Sequence, residues 1–194
     1  MSANIKTKLQ DVKRELILEE AATLFESIGY ESLKVSDLAK KVGVSVGTIY
    51  GMFESKEELY LAYVKQQIAS HVVELEARCK DMTPQEQLLK AFELKFEHFY
   101  SKRIAIEECA KNNPLFFSNI RHTSPDILEE VYRKIATIIQ AINPSIDAQQ
   151  AMRLSYAFTG LSDGYIAHWF AYDDDLLKQL QPMHQQMLLM IKGS

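Results

Sequence analysis

The chain has 194 residues, 47% of them hydrophobic, and a formal net charge of −4. That length holds one large domain or two small ones around a globular core, and no apolar run is long enough to cross a membrane. The first residues, Met1 to Lys13, are polar with no signal-peptide core, and the acidic balance argues against a general nucleic-acid coat but not against a sequence-specific binder, which needs only one positive surface.

The two cysteines, Cys79 and Cys109, have no metal-ligand spacing and read as reduced thiols of a cytoplasmic protein, each a small buried hydrophobe. The first helix is expected from about Lys6 to Ser27. Its inward face is Leu16, Ala21, Leu24, Phe25 and Ile28. Glu19 and Glu26 read as parts of a solvated face.

Gly29 and Tyr30 follow. Leu38 and Val42 are four apart, and Ala39 is three from Val42, so they share an inward helical face. Gly43 stands where the chain leaves that helix, a place that favours the left-handed backbone open to glycine. Val44 plugs the turn, and Ser45 caps a second short helix by accepting a backbone N–H. Ile49 and Phe53 face inward from it, while Val46, Gly47, Thr48 and Tyr50 face outward. This is a helix-turn-helix, and its outward face suits a DNA major groove about 12 Å wide. Gly47 lets the backbone approach phosphates closely. Lys6, Lys8, Lys13, Arg14, Lys40 and Lys41 cluster nearby, and Lys34 and Lys56 flank the motif as phosphate contacts.

The ordered set Gly29, Gly43-Val44-Ser45, Gly47, Tyr50, Phe53, Lys56 and Leu59 resembles the DNA-binding domain of the TetR family of transcriptional repressors. The resemblance implies an all-α protein of about nine helices. Residues 1–54 would be a three-helix helix-turn-helix domain, and residues 55–194 a helical ligand-binding and dimerisation domain. It implies DNA contacts from Lys34, Ser36, Val44, Ser45, Val46, Gly47, Thr48, Tyr50 and Lys56, with Tyr50 and Lys56 on phosphates. Three positions depart from the family pattern. Lys34 replaces the usual Ser or Thr cap, so that cap must come from elsewhere. Gly51-Met52 follows Tyr50 where a polar or aromatic residue is common, and glycine there costs helix stability. Val46 replaces a basic or polar residue, which favours apolar contact such as with a thymine methyl.

Ser55 and Glu58 read as a capping box opening a long helix to about Cys79. Thr83-Pro84 with Glu86 opens the next, carrying the stripe Leu88, Leu89, Phe92, Phe96, Phe99 and Tyr100. Asn112-Asn113-Pro114 breaks the chain. Ser124-Pro125-Asp126 opens a further helix with Ile127, Leu128, Val131, Ile135, Ile138 and Ile139 at helical spacing, ended by Asn143-Pro144. The penultimate helix, about Asp147 to Phe170, has three stripes. One is small: Ala157, Gly160, Gly164, His168 and Ala171. Another is apolar: Leu154, Phe158, Leu161, Tyr165 and Trp169. The third is Met152, Tyr156, Thr159 and Asp163. Asp173-Asp174-Asp175 opens the last helix, where Leu176, Leu180, Met183, Met187 and Met190 form a pairing seam that Pro182 is expected to kink.

The last two helices are thus apolar on more than one face, whereas a helix of a small monomer needs one buried stripe. The surplus predicts a homodimer through Ala157, Gly160, Gly164, His168, Leu180, Met183 and Met187, which would set two reading helices on a palindromic duplex. The aromatic-rich middle, with polar groups that need partners if buried, fits a cavity for a small apolar or amphipathic effector. Phe92, Phe96, Tyr100, Phe117, His122, Met152, Tyr156, Thr159 and Asp163 are its expected lining. Asp163 serves either to select a cation or to bond between helices. No enzyme is expected: no Glu has a His three residues later for a di-metal bundle site, and no nucleophile motif or phosphate loop is present. Neither metal nor cofactor is expected. The rival to a ligand-released repressor is a DNA-binding adaptor that recruits a protein through its C-terminal domain.

Overall fold

The computed structural model describes residues 2–112 and 125–193, with side chains from 7 to 107 and from 128 to 193. Phe117 and His122, and the side chains of Lys6 and Cys109, lie outside the described residues. Among the described residues the regular structure is helical. The elements are α1 (Ser2–Ser32), α2 (Val35–Val42), α3 (Val46–Tyr50), α4 (Lys56–Arg78), α5 (Pro84–Ser101), α6 (Arg103–Asn112), α7 (Pro125–Ile142), α8 (Ala148–Tyr172), a 3-10 turn (Leu176–Gln179) and α9 (Leu180–Lys192). Gly29 breaks the helical course of α1 with φ 80° and ψ 171°, a backbone that glycine adopts without a Cβ penalty. No described helix is long and apolar enough to cross a membrane.

Two compact units divide the chain: Met1–Gln67 with Lys102–Ile120, and Ile68–Ser101 with Arg121–Ser194. This differs from the single boundary after residue 54 expected from the sequence. The first unit takes the start of α4 because Tyr60 and Tyr63 are buried beside Phe25, at ring-centroid distances of 4.9 and 5.4 Å. It also takes α6, whose Ala105 carbonyl accepts the Tyr60 hydroxyl at 2.8 Å. Phe25 sets the phase of α1: Ile17, Leu18, Ala21 and Phe25 are buried. Leu16 and Ile28, expected inward, are exposed instead. Ile17 fills the place expected of Leu16, because the buried arc is centred on Ala21 and Leu16 lies on the far side of it.

The second unit is an α-helical bundle around Phe92, Phe96, Ile139, Phe158, Trp169, Met183 and Met187. Its helices start where side chains satisfy free N–H groups. Thr83 and Glu86 exchange bonds at the head of α5, at 2.8 and 3.4 Å, and Asp147 accepts Gln150 N–H at 2.7 Å at the head of α8. Asp175 caps the 3-10 turn, so α9 begins only at Leu180. Pro182 therefore lies in the first turn of α9, where its missing N–H leaves no intrahelical bond unmade, and the expected kink has no cause. Cys79 is buried and burial pushes its thiol up, in keeping with a packing role.

Burial disfavours the charged form of two histidines of this unit. Burial holds His184 below the ordinary imidazole value of 6.5, although its Nε2 lies 3.0 Å from the Gln85 carbonyl. Burial and then the Lys95 charge do the same to His71, against the opposing pull of Glu74. A base whose folded value is depressed is protonated first in the unfolded chain. Its stability contribution is complete above the unfolded value and is lost as the pH falls from there through the folded value. The urea midpoint is therefore expected to drop between pH 7.5 and pH 5, and His184→Gln is expected to flatten that drop.

Candidate functional site

The reading head is built from short-range interactions. Lys34 occupies the N-cap of α2 without a side-chain bond, and its carbonyl accepts Asp37 N–H at 2.9 Å. Gly43 ends α2 with φ 76° and ψ 33°, and its N–H returns to Lys40 O at 3.3 Å. Ser45 caps α3: its Oγ accepts Thr48 N–H at 3.0 Å and lies 2.9 Å from Thr48 Oγ1. Ile49 and Phe53 anchor α3 in the core, and the Arg14 guanidinium lies 4.5 Å from the centre of the Phe53 ring. Outward stand Val46 and Tyr50, 38% and 46% exposed, with Gly47 between them. Ser36, Ser45 and Lys34 are exposed; Val44 and Thr48 are half-buried.

The flanking charges are less free than their spacing suggests. The Lys56 ammonium sits 4.4 Å from the Tyr30 ring centre and donates to the Glu31 carbonyl at 3.2 Å, so it is tied to the end of α1 rather than held out as a bare phosphate ligand. Tyr30 in turn donates to Glu57 at 2.9 Å. Bonds from its own backbone N–H, then from Tyr30 and Ser55, hold the Glu57 carboxyl below the usual carboxylate value. Lys41 pairs with Glu20 at 2.8 Å, while Lys40 is left largely in solvent beside Asp37.

Among the described residues, those expected to line a cavity do not converge. Phe92 and Phe96 are fully buried, and Phe92 stacks on Phe158 with centroids 4.0 Å apart. Tyr100 and Tyr156 lie at the surface, 60% and 52% exposed, and stack on Trp169 and Tyr132. They sit on the outer arcs of α5 and α8, so an enclosed lining is not where the described residues place them. Met152, Tyr156, Thr159 and Asp163 do form one stripe of α8. Asp163 is engaged by Lys95 of α5 at 2.7 Å, and Lys95 also reaches the buried Ser162 at 2.7 Å. Of the two roles weighed for Asp163, this is the inter-helix bond.

The small stripe of α8 faces outward. Gly160, Gly164 and His168 are exposed, Ala157 is half-buried, and a Cβ added at either glycine would meet nothing within 4 Å. An open groove of about 490 Å³ runs along it, lined by Gly160, Leu161, Gly164, Tyr165, His168, Asp174 and Gln179. Met183 and Met187 are fully buried instead, and Leu180 is half-buried. The α9 seam thus closes the protomer's own core, because α9 turns this stripe onto α5 and α8.

The profile described as "Bacterial regulatory proteins, tetR family" matches residues 17–63, the span that carries α2, the glycine turn and α3. Residues 17–63 of this chain are a TetR-family DNA-binding domain. The TetR-family regulator is 26% identical over 172 residues to the HTH-type transcriptional activator FasR of Mycolicibacterium smegmatis, covering 84% of this chain and 75% of that one. Its fold is similar to FadR of Bacillus subtilis, solved with stearoyl-CoA, at TM-score 0.70 and 20% identity over 90% of this chain and 97% of that one. FadR of Thermus thermophilus, a repressor solved with lauroyl-CoA, matches at TM-score 0.66 and 23% identity over 91% and 93% of the two chains. The TetR-family regulator is a DNA-binding transcription factor and not an enzyme.

One half-buried polar cluster of this TetR-family regulator escaped sequence reasoning. Glu26, expected in a solvated face, is two-thirds covered: Lys102 pairs with its Oε1 at 2.5 Å and the Tyr63 hydroxyl donates to the same oxygen at 3.3 Å. Burial, then the Glu26 charge, pushes the Tyr63 hydroxyl far up, so it stays a donor at every working pH. Glu26 thereby joins α1, α4 and the entrance to α6. No sequence signal marks it, since its partners lie 37 and 76 residues away.

Proposed function

We propose that this TetR-family regulator is a cytoplasmic homodimeric repressor that holds a palindromic operator, one α3 per half-site, and releases it when an amphipathic effector enters the C-terminal unit. The groove contacts come from Val44, Ser45, Val46, Gly47 and Thr48, and the phosphate contacts from Lys34, Ser36, Tyr50 and, through its remaining N–H donors, Lys56. The observation that carries the release step is the make-up of the DNA-binding unit. It contains α6, drawn from the middle of the chain, and Glu26 fastens it to α1 and α4. The chain passes between the units at three points, so a rearrangement of the second unit acts on the reading head through covalent connections. A ligand shifts that equilibrium only as far as its affinities for the two states differ.

A fatty acyl-CoA is the effector class proposed. Two similar folds were solved with stearoyl-CoA and lauroyl-CoA, and a long acyl chain suits an aromatic-rich helical bundle. Fluorescence anisotropy with an operator duplex tests this: either thioester is expected to weaken binding at micromolar concentration, and free coenzyme A is not. Indifference to both thioesters overturns the effector class. Expression from an operator-linked reporter separates repression from the activation named for the Mycolicibacterium smegmatis relative.

Tyr50→Ala removes a side chain that is 46% exposed on the outward face of α3. It is expected to weaken operator binding about tenfold or more while leaving the melting temperature unchanged. Glu26→Gln keeps the shape but loses the charge on which Lys102 closes. It is expected to leave operator affinity within about threefold and to blunt effector release, since one charge-assisted bond of about 1.5–3 kcal/mol is removed from the α1–α6 joint. A full effector response in Glu26→Gln removes that joint from the release path.

A further inference from the structure

The segment that α3 offers to a duplex carries no charged or amide side chain, and we propose that this regulator reads its half-site through thymine methyl groups, with Val46 as the reading side chain. The inference rests on α3 being the recognition helix and adds the bases it selects.

Between Val44 and Gly51 there is no Lys, Arg, Asn, Gln, Asp, Glu or His. Arg and Lys are the usual partners of guanine, Asn and Gln of adenine, and Glu and Asp of cytosine. The segment holds three hydroxyls instead. Those of Ser45 and Thr48 lie 2.9 Å apart, and Ser45 Oγ also accepts Thr48 N–H at 3.0 Å. Ser45 Oγ is thus engaged as the cap of a five-residue helix, and the Thr48 hydroxyl is turned toward it. Tyr50 stands a full turn further on, at the phosphate-facing end.

That leaves Val46, exposed at the first turn of α3, the end that meets base edges in helix-turn-helix proteins. Beside it Gly47 has only Ser45 Oγ, at 3.7 Å, in front of a would-be Cβ, so no longer side chain holds the helix away from the bases. The apolar group displayed in the major groove is the C5 methyl of thymine. Of the cations near the head, Arg14 lies over the Phe53 ring, Lys41 pairs with Glu20 and Lys56 donates to the Glu31 carbonyl, while Lys34 and Lys40 lie at the start and within α2, where they supply attraction to phosphates but no base information.

The test uses the full chain and duplexes it enriches from a random pool, with each thymine replaced singly by deoxyuridine, which lacks only the methyl. At least one thymine per half-site is expected to lose about fourfold in affinity on replacement, the equivalent of one apolar methyl-sized contact. Val46→Ala is expected to bind the thymine duplex as weakly as the parent binds the uracil one, and to distinguish the two no longer. Failure to enrich any duplex would overturn the recognition helix and this inference together. Enrichment with no uracil penalty anywhere, or a penalty that survives Val46→Ala in full, overturns this inference alone. Should the variant fail to melt like the parent, the uracil series on the parent decides by itself.

Discussion

Leucine in place of Gly164 is expected to leave the protomer folded but solitary, and to lower affinity for a palindromic duplex by a factor on the order of 10²–10⁴, the avidity lost when two linked contacts become one. The fold has no reason to object, because a Cβ at Gly164 meets nothing within 4 Å. The same emptiness is what a second helix would fill. The outward face of α8 runs through the small residues Ala157, Gly160, Gly164, Ala167 and Ala171, with His168, paired with Asp174, at its edge. Small residues at four-residue spacing admit a close helix, and leucine there would hold the two apart. Light scattering reads the mass, and anisotropy on full and half operators reads the affinity. A Gly164→Leu dimer of unchanged affinity would place the interface elsewhere.

Phe92→Ala is expected to cost about 3–5 kcal/mol of stability, a large part of the roughly 5–15 kcal/mol that holds most domains folded. Phe92 is fully buried and stacked on Phe158, so truncation removes both its transfer free energy and an aromatic pair. The variant also separates two readings of the same residue. A phenylalanine lining a cavity that an effector fills would cost far less when truncated in the ligand-free protein. A urea midpoint close to that of the parent would therefore return Phe92 to the cavity wall.

The helix-turn-helix was legible because its determinants act within four residues. Leu38 and Ala39, with Val35 and a half-buried Val42, set the inward face of α2, Gly43 takes the left-handed turn, and Ser45 caps α3 through Thr48. Each follows from backbone geometry and hydrogen-bond supply without reference to distant chain. The Ser55 cap and the helix start at Thr83-Pro84 were readable for the same reason, although Glu58 accepts the Glu54 N–H rather than closing the expected box on Ser55.

Other features depended on which partner each face meets. Leu16 and Ile17 are equally apolar neighbours, and only the position of Phe25 against Tyr60 and Tyr63 turns Ile17 inward. Met183 and Met187 sit in a stripe fit for either a second copy or the chain's own core, and the packing of α9 against α5 and α8 settles it for the core. Periodicity thus announced the helices and the reading head. Which stripes stay outside, where the units divide and why Glu26 is covered arise from contacts between residues dozens of positions apart, whose energies no local pattern encodes.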